Sequence, residues 1–300
     1  MSDTAFVSEP VNISCSDGQQ LAATLYLPQQ SNGLSLQINA ATGVPRGYYN
    51  AFAGYQAARG FTVLTFDYRG IGGSQQSAGA RKSIPAPRML DWGMQDVPAA
   101  AAFLAQCFPA LTPTLLGHSF GGQVLGLMPQ ADAFAAIVTV ASQHGYWRNW
   151  PRSHQAMLFF AWYMLVPVLL AVRAKAPSRL FGGEPLPRGV LADWSRWCRS
   201  PHYVCDERGA PLRPFNDRVR APIRMISFSD DDDFGPRKGV DRLAEYYPQA
   251  QIERLHVMPA DWGLQRIGHF GFFKREMPAE RWAEIGDWLS RTAAARQQAA

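Results

Sequence analysis

The stretch that most restricts the fold is Gly117-His118-Ser119-Phe120-Gly121-Gly122, which follows directly on the β-prone run TPTLL at 112–116. A serine at the centre of G-x-S-x-G, entered from a strand and left through a helix, needs a very tight turn. Side chains at 117 and 121 would collide there with neighbouring elements. The turn pushes the serine Oγ out above a sheet, and the helix behind it directs main-chain N–H groups at whatever the serine attacks. The alternative is a glycine-rich turn whose serine only caps a helix.

The rest of the chain alternates in the way such a turn requires. The segment VNISCSDGQQLAATLYLP gives two strand-like runs joined through Asp17-Gly18, a hairpin signal. Residues 34–41, 61–66, 112–116, 135–141, 223–228 and 252–258 read as strands, and 49–59, 91–107 and 279–295 as helices. Strands alternating with helices predict an α/β chain with a mostly parallel central sheet and helices on both faces. Residues 142–220 break the pattern: they are rich in Trp, Arg and Pro and show no convincing strand. The expected organisation is an α/β domain of 1–141 and 221–300, with 142–220 as a helical insertion.

Composition excludes several classes. A chain of 300 residues with 47% hydrophobic and 18% charged residues is not generally disordered. The net charge of +5 comes from 25 Arg and 4 Lys scattered along the chain, so nucleic-acid binding is not expected. Cys15, Cys107, Cys198 and Cys205 form neither a CxxC pair nor a disulfide framework. With a polar start that lacks an apolar leader, a cytoplasmic setting is the expectation. The 17 residues of 156–172 carry no charge and reach the lower edge of a membrane span. A lone span there would separate halves that one site needs together. A buried core helix or an apolar lid is expected instead, and no stable span.

A serine hydroxyl is a weak nucleophile and needs a base and an orienting acid, in the chain order Ser, Asp or Glu, His. Of six histidines only His269 falls in a loop after the last strand. His256 lies within that strand, His118 packs beside the turn, and His144, His154 and His202 lie in the insertion. The acid should come from SFSDDDDFGP, the loop after strand 223–228, which holds Asp230, Asp231, Asp232 and Asp233. The run lacks the spacing and the distal Glu of a calcium loop.

These features, with Ala41-Thr42-Gly43-Val44-Pro45, the run FDYRGIGGS at 66–74 and Gly268-His269-Phe270, resemble the α/β-hydrolase superfamily, serine-nucleophile branch. The set is similar to a bacterial group of predicted hydrolases with little assigned activity. The resemblance implies an eight-stranded sheet with a cap after the sixth strand. It also implies a G-x-x-D-x-x-x-P loop in which Ser229 takes the Gly position, Asp232 the acid and Pro236 the proline, with Asp231 as runner-up. It assigns the oxyanion donors to the Phe120 and Val44 amides, and a bracing role to Asp67 and Arg69. Ser119, Asp232 and His269 would then cleave an ester or thioester of a small-molecule acyl substrate, without metal or organic cofactor, in a monomer or homo-oligomer. The rivals are acyltransferase, thioesterase or aminopeptidase chemistry on the same triad, and a non-catalytic ligand-binding protein on the same fold.

Overall fold

The computed structural model describes residues 5–75, 86–172, 175–176 and 183–298. Its most apolar runs form the middle of one sheet. β3 (Leu34–Asn39), β4 (Thr62–Phe66) and β6 (Ala136–Val140) are buried at every residue, and β5 (Thr112–His118) at all but its first two. Strands covered on both faces read as continuous apolar runs, because neither face meets water. At one margin β1 (Phe6–Ser14) and β2 (Gln20–Pro28) form the expected hairpin, with Gly18 at φ +85° in the turn. The full order is β1-β2-β4-β3-β5-β6-β9-β10, where β9 is Ile223–Phe228 and β10 is Ile252–Val257. The β1–β2 and β2–β4 pairs are antiparallel and the others parallel. This is the eight-stranded, mostly parallel α/β architecture that the sequence predicts.

In chain order the helices are α1 (Asn50–Ala58), α2 (Val97–Cys107), α3 (Phe120–Gln123), α4 (Arg152–Val172), α5 (Arg188–Arg199), α6 (Arg237–Ala244) and α7 (Ala279–Gln298). Phe52 of α1 and Trp282 of α7 meet edge to face at 5.7 Å. The helix expected after Ser119 is only one turn long, since Gly121, Gly122 and Gly126 are poor helix formers. The parallel core puts the C-terminal ends of β3, β5, β9 and β10 along one side, where ligands bind in open α/β sheets.

Between β6 and β9 the chain adds α4, a two-stranded pair of β7 (Lys175–Ala176) with β8 (Leu186–Pro187), and α5. The pair is a departure from the strandless segment expected. Two-residue strands are too short to leave an alternation in the sequence. α4, expected as a core helix or an apolar lid, is buried along one side only. Trp162 and Val166 are buried, and Trp162 meets Trp194 of α5 at 5.3 Å between centroids. Met157, Phe160, Met164 and Val168, on the opposite side, are exposed. Among the described residues α4 is the one helix long and apolar enough to cross a membrane.

Candidate active site

At the end of β5 the backbone of Ser119 adopts φ +50°, ψ −115°, a conformation that non-glycine residues rarely take. Main-chain bonds hold it there: Ser119 N–H donates to the Val140 carbonyl at 2.9 Å, and Gly122 N–H to the Ser119 carbonyl at 3.1 Å. A Cβ at position 117 would lie 2.5 Å from the Gly122 nitrogen, and one at 121 would lie 2.2 Å from the Asn39 carbonyl oxygen. Both glycines are therefore required sterically. Ser119 Oγ makes no hydrogen bond to a described residue, and the Phe120 N–H likewise has no acceptor among them.

His269 follows β10, and its Nδ1 lies 2.7 Å from Oδ2 of Asp231. Both side chains are almost wholly buried. The carboxylate facing the histidine is thus Asp231, not Asp232, which is exposed to solvent. The expected loop pattern is off by one residue because the chain turns immediately after β9. Asp231 N–H bonds back to the Phe228 carbonyl, which swings its side chain inward. Gly235 makes room for it, since a Cβ there would sit 2.4 Å from Asp231 Oδ2. Burial raises the Asp231 pKa, and the neighbouring His269 opposes that shift. A carboxylate on Nδ1 fixes the proton there and leaves the Nε2 lone pair free to take another.

The other aspartates divide by position. Asp230, expected to be a solvated charge, accepts the Ile267 N–H at 2.8 Å and the Gly268 N–H at 3.0 Å. It therefore clasps the loop that carries His269, where Gly268 has φ +57°. Asp233 is exposed and pairs with His154 Nε2 at 3.3 Å, while its carbonyl accepts the Trp150 indole N–H.

The loop after β3 corrects another expectation. The Val44 N–H donates to the Ala41 carbonyl at 3.1 Å, closing a turn with Gly43 at φ +71° in its third position. Val44 is therefore committed internally. The amides of this loop without an acceptor among the described residues are those of Thr42 and Gly43. Asp67 and Arg69 are bracing residues in their contacts. Asp67 accepts the Arg46 and Gly73 amides and pairs with the Arg46 guanidinium. Arg69 pairs with buried Asp96 and with Asp17.

Sequence reasoning missed two contributors. The Ala41 N–H donates to the Tyr49 hydroxyl at 2.8 Å, Tyr49 lies 2.8 Å from His118 Nδ1, and His118 Nε2 lies 2.9 Å from the His269 carbonyl. One buried chain of contacts thus ties the loop after β3, the serine turn and the histidine loop together. Burial, and then the proximity of His269, hold the His118 pKa well below its ordinary value. No side-chain pattern in the sequence marks Tyr49, and His118 reads there only as packing beside the turn, although its place next to Ser119 is the signal that could have found it.

A cavity of about 480 Å³ lies between α4, α5 and the loop after β9. Its apolar wall includes Leu158, Ala161, Trp162, Val166, Trp194 and Phe234. Phe234 is the link to the site, with its ring 5.2 Å from that of His269. Among the described residues no group of three or more His, Cys, Asp or Glu is arranged to hold a metal ion.

A family model described as the alpha/beta hydrolase family matches residues 38–285. Similar solved structures include a hypothetical protein from Pseudomonas aeruginosa, with 16% identity, TM-score 0.63 and coverage of 97% of this chain and 95% of that one. An esterase from Pyrococcus furiosus has 14% identity and TM-score 0.60, over 96% and 92% of the two chains. A thermophilic esterase from Thermogutta terrifontis, with malate bound, has 16% identity and TM-score 0.56, over 95% and 99%. At such identities the likeness is one of fold. No curated protein matches the chain in sequence.

Proposed function

The chain belongs to the alpha/beta hydrolase family, and on that premise we propose that it is a serine hydrolase that cleaves a carboxylic ester or thioester through an acyl-enzyme. The observation that carries this reading is the buried Asp231–His269 pair, tied through His118 to the turn that holds Ser119 at φ +50°. The esterases among its structural neighbours support the same class.

In this mechanism Ser119 Oγ attacks the acyl carbon while His269 Nε2 takes its proton. Asp231 keeps the imidazole in the tautomer that can do so and stabilises the imidazolium that forms. The oxyanion is held by the Phe120 N–H and by an amide of the Thr42-Gly43 turn, donors already fixed by the fold. His269 returns its proton to the leaving alkoxide or thiolate, and water, activated by the same nitrogen, releases the acid. Residues 142–220 serve as the cap. Their contacts with the site support this: the Glu184 N–H donates to the Gly43 carbonyl at 2.7 Å, and the Trp150 indole to the Asp233 carbonyl at 3.0 Å. The apolar cavity under α4 takes the acyl chain.

The test is a fluorophosphonate probe followed by mass mapping. Wild type is modified at Ser119, and Ser119→Ala abolishes labelling and lowers kcat by about 10⁶. Labelling of Ser119→Ala at the wild-type rate overturns the reading. Product analysis with water, alcohol and amine acceptors then separates hydrolysis from acyl transfer.

A further inference from the structure

The outer face of α4 is explained neither by the cavity nor by the core. Phe159, Phe160, Met164, Val168 and Val172 are exposed, and residues 156–172 contain no charge. A helix that ends its packing at water carries polar residues on its outer side. A continuous apolar face of this kind marks contact with something other than water.

Charge indicates what that is. Residues 142–220 hold twelve Lys and Arg against five Asp and Glu, whereas the rest of the chain holds seventeen against nineteen. The positive surplus of the protein is therefore concentrated in this segment. Four arginines border α4. Arg152 opens it, and Arg188 Nε donates to the Leu170 carbonyl at 2.9 Å. The Arg199 guanidinium lies 5.5 Å from the Tyr163 ring. That of Arg148 lies 5.0 Å from Trp147, whose ring is 5.6 Å from Phe159. None of the four has a carboxylate partner among the described residues. Arg152 even stands at the helix N-terminus, where the helix dipole disfavours a cation, so helix stability does not account for it.

An apolar face bordered by unpaired arginines complements one kind of partner. We propose that α4 lies in the plane of an anionic lipid surface, with its outer side chains among the acyl chains and the arginines at the phosphates. A span is ruled out by topology: β6 and β9 pair in one sheet, so the chain before and after α4 stays on one side. A second copy of the chain would set one arginine border against another, which is the wrong charge match.

The experiment is flotation with vesicles of phosphatidylcholine and phosphatidylglycerol at 3:1, with pure phosphatidylcholine vesicles as comparison. Partitioning is read directly, so the result is independent of whether the chain hydrolyses esters. Wild type floats with the anionic vesicles, and less at 0.5 M than at 0.1 M salt, each being a chosen condition on the screening scale of about 10 Å at 0.1 M. Phe160→Asp combined with Met164→Asp lowers partitioning on the order of a hundredfold, since charges enter the apolar boundary. Arg148→Gln combined with Arg152→Gln lowers it on the order of tenfold or more on anionic vesicles only, at roughly fivefold per arginine. The arginine pair, away from the helix packing, keeps the test decisive if the aspartate pair misfolds by circular dichroism. Wild type remaining unbound, or arginine variants that float as wild type does, overturns the proposal. A stable wild-type dimer in sedimentation, dissociated by the aspartate pair and indifferent to vesicles, assigns the face to a second copy and also overturns it.

Discussion

The His118 imidazole donates its Nε2 proton to the main-chain carbonyl of His269, 2.9 Å away. A carbonyl can only accept, so Nε2 carries the proton. The depressed pKa keeps the ring neutral, and Nδ1 is then an acceptor for the Tyr49 hydroxyl. The Tyr49 oxygen in turn accepts from Ala41. Each link has one allowed direction, so the serine turn, the loop after β3 and the histidine loop share one fixed spacing. Tyr49→Phe leaves the Ala41 amide and His118 Nδ1 without partners. The expected outcome is a fall in kcat of about ten- to a hundredfold, the scale of a misplacement near 1 Å, with KM little changed. Steady-state kinetics on a soluble ester check this, and an unchanged kcat removes the positioning role.

The four adjacent aspartates should separate cleanly. Asp231→Asn lowers kcat by about 10⁴, because an amide favours the wrong imidazole tautomer. Asp232→Asn changes it by less than about tenfold, as for a screened surface charge. Asp230→Ala removes the acceptor for two main-chain amides and costs about 2–4 kcal/mol of stability, since hydrogen bonds to a charged group contribute ~1.5–3 kcal/mol each and part is recovered by water. Parallel kinetics and denaturant melts on the three variants distinguish these effects. Equal activity in all three rejects the assignment of Asp231.

The cavity under α4 sets an expectation for acyl-chain length. Each methylene buried there contributes about 0.8 kcal/mol, so kcat/KM rises about three- to fourfold per CH₂ until the space is full. Ala161→Trp fills part of the cavity and should shift the optimum to shorter chains while leaving acetate nearly unchanged. A p-nitrophenyl ester series kept monomeric reads both effects. A flat series in wild type indicates that the cavity is not the acyl site.

His144 makes acid stability a test of the interior. Its Nδ1 accepts the Asn149 side-chain N–H at 3.0 Å, and burial, followed by the charge of Arg242, lowers its pKa to about 3. A histidine with a folded pKa below its unfolded value stabilises the fold above the unfolded pKa and loses that contribution as pH falls. Between about pH 6.5 and 3 the unfolded chain binds a proton that the folded protein does not, and the loss is about 2 kcal/mol by pH 5. His144→Gln keeps an acceptor toward Asn149 and should flatten that part of the profile in urea melts taken from pH 7 to 5. An unaltered slope means that other groups govern acid unfolding.

The sheet was legible in the sequence because β3, β4 and β6 are continuous apolar runs, and the positions of Ser119 and His269 follow from strand order. The choice between Asp231 and Asp232 was not. Identical neighbours carry no side-chain signal, and the decision rests on one main-chain turn to Phe228. That the Val44 amide is engaged by Ala41 was hidden for a related reason: whether an amide is free depends on a backbone hydrogen bond that side chains do not encode. The uncharged run of α4 is buried on one face and exposed on the other. Hydropathy alone does not choose between a core helix and an apolar lid, because both require the same uncharged run.

The strand order bears on how the protein comes into being. Ser119 closes β5, while Asp231 follows β9 and His269 follows β10, the last two strands laid down along that side of the sheet. Chains emerge from synthesis N-terminal end first. A growing polypeptide therefore exposes its serine long before the carboxylate and imidazole exist to activate it. On the proposed mechanism reactivity would begin only when the final strand docks, and a chain cut before β10 would be inert toward acyl compounds.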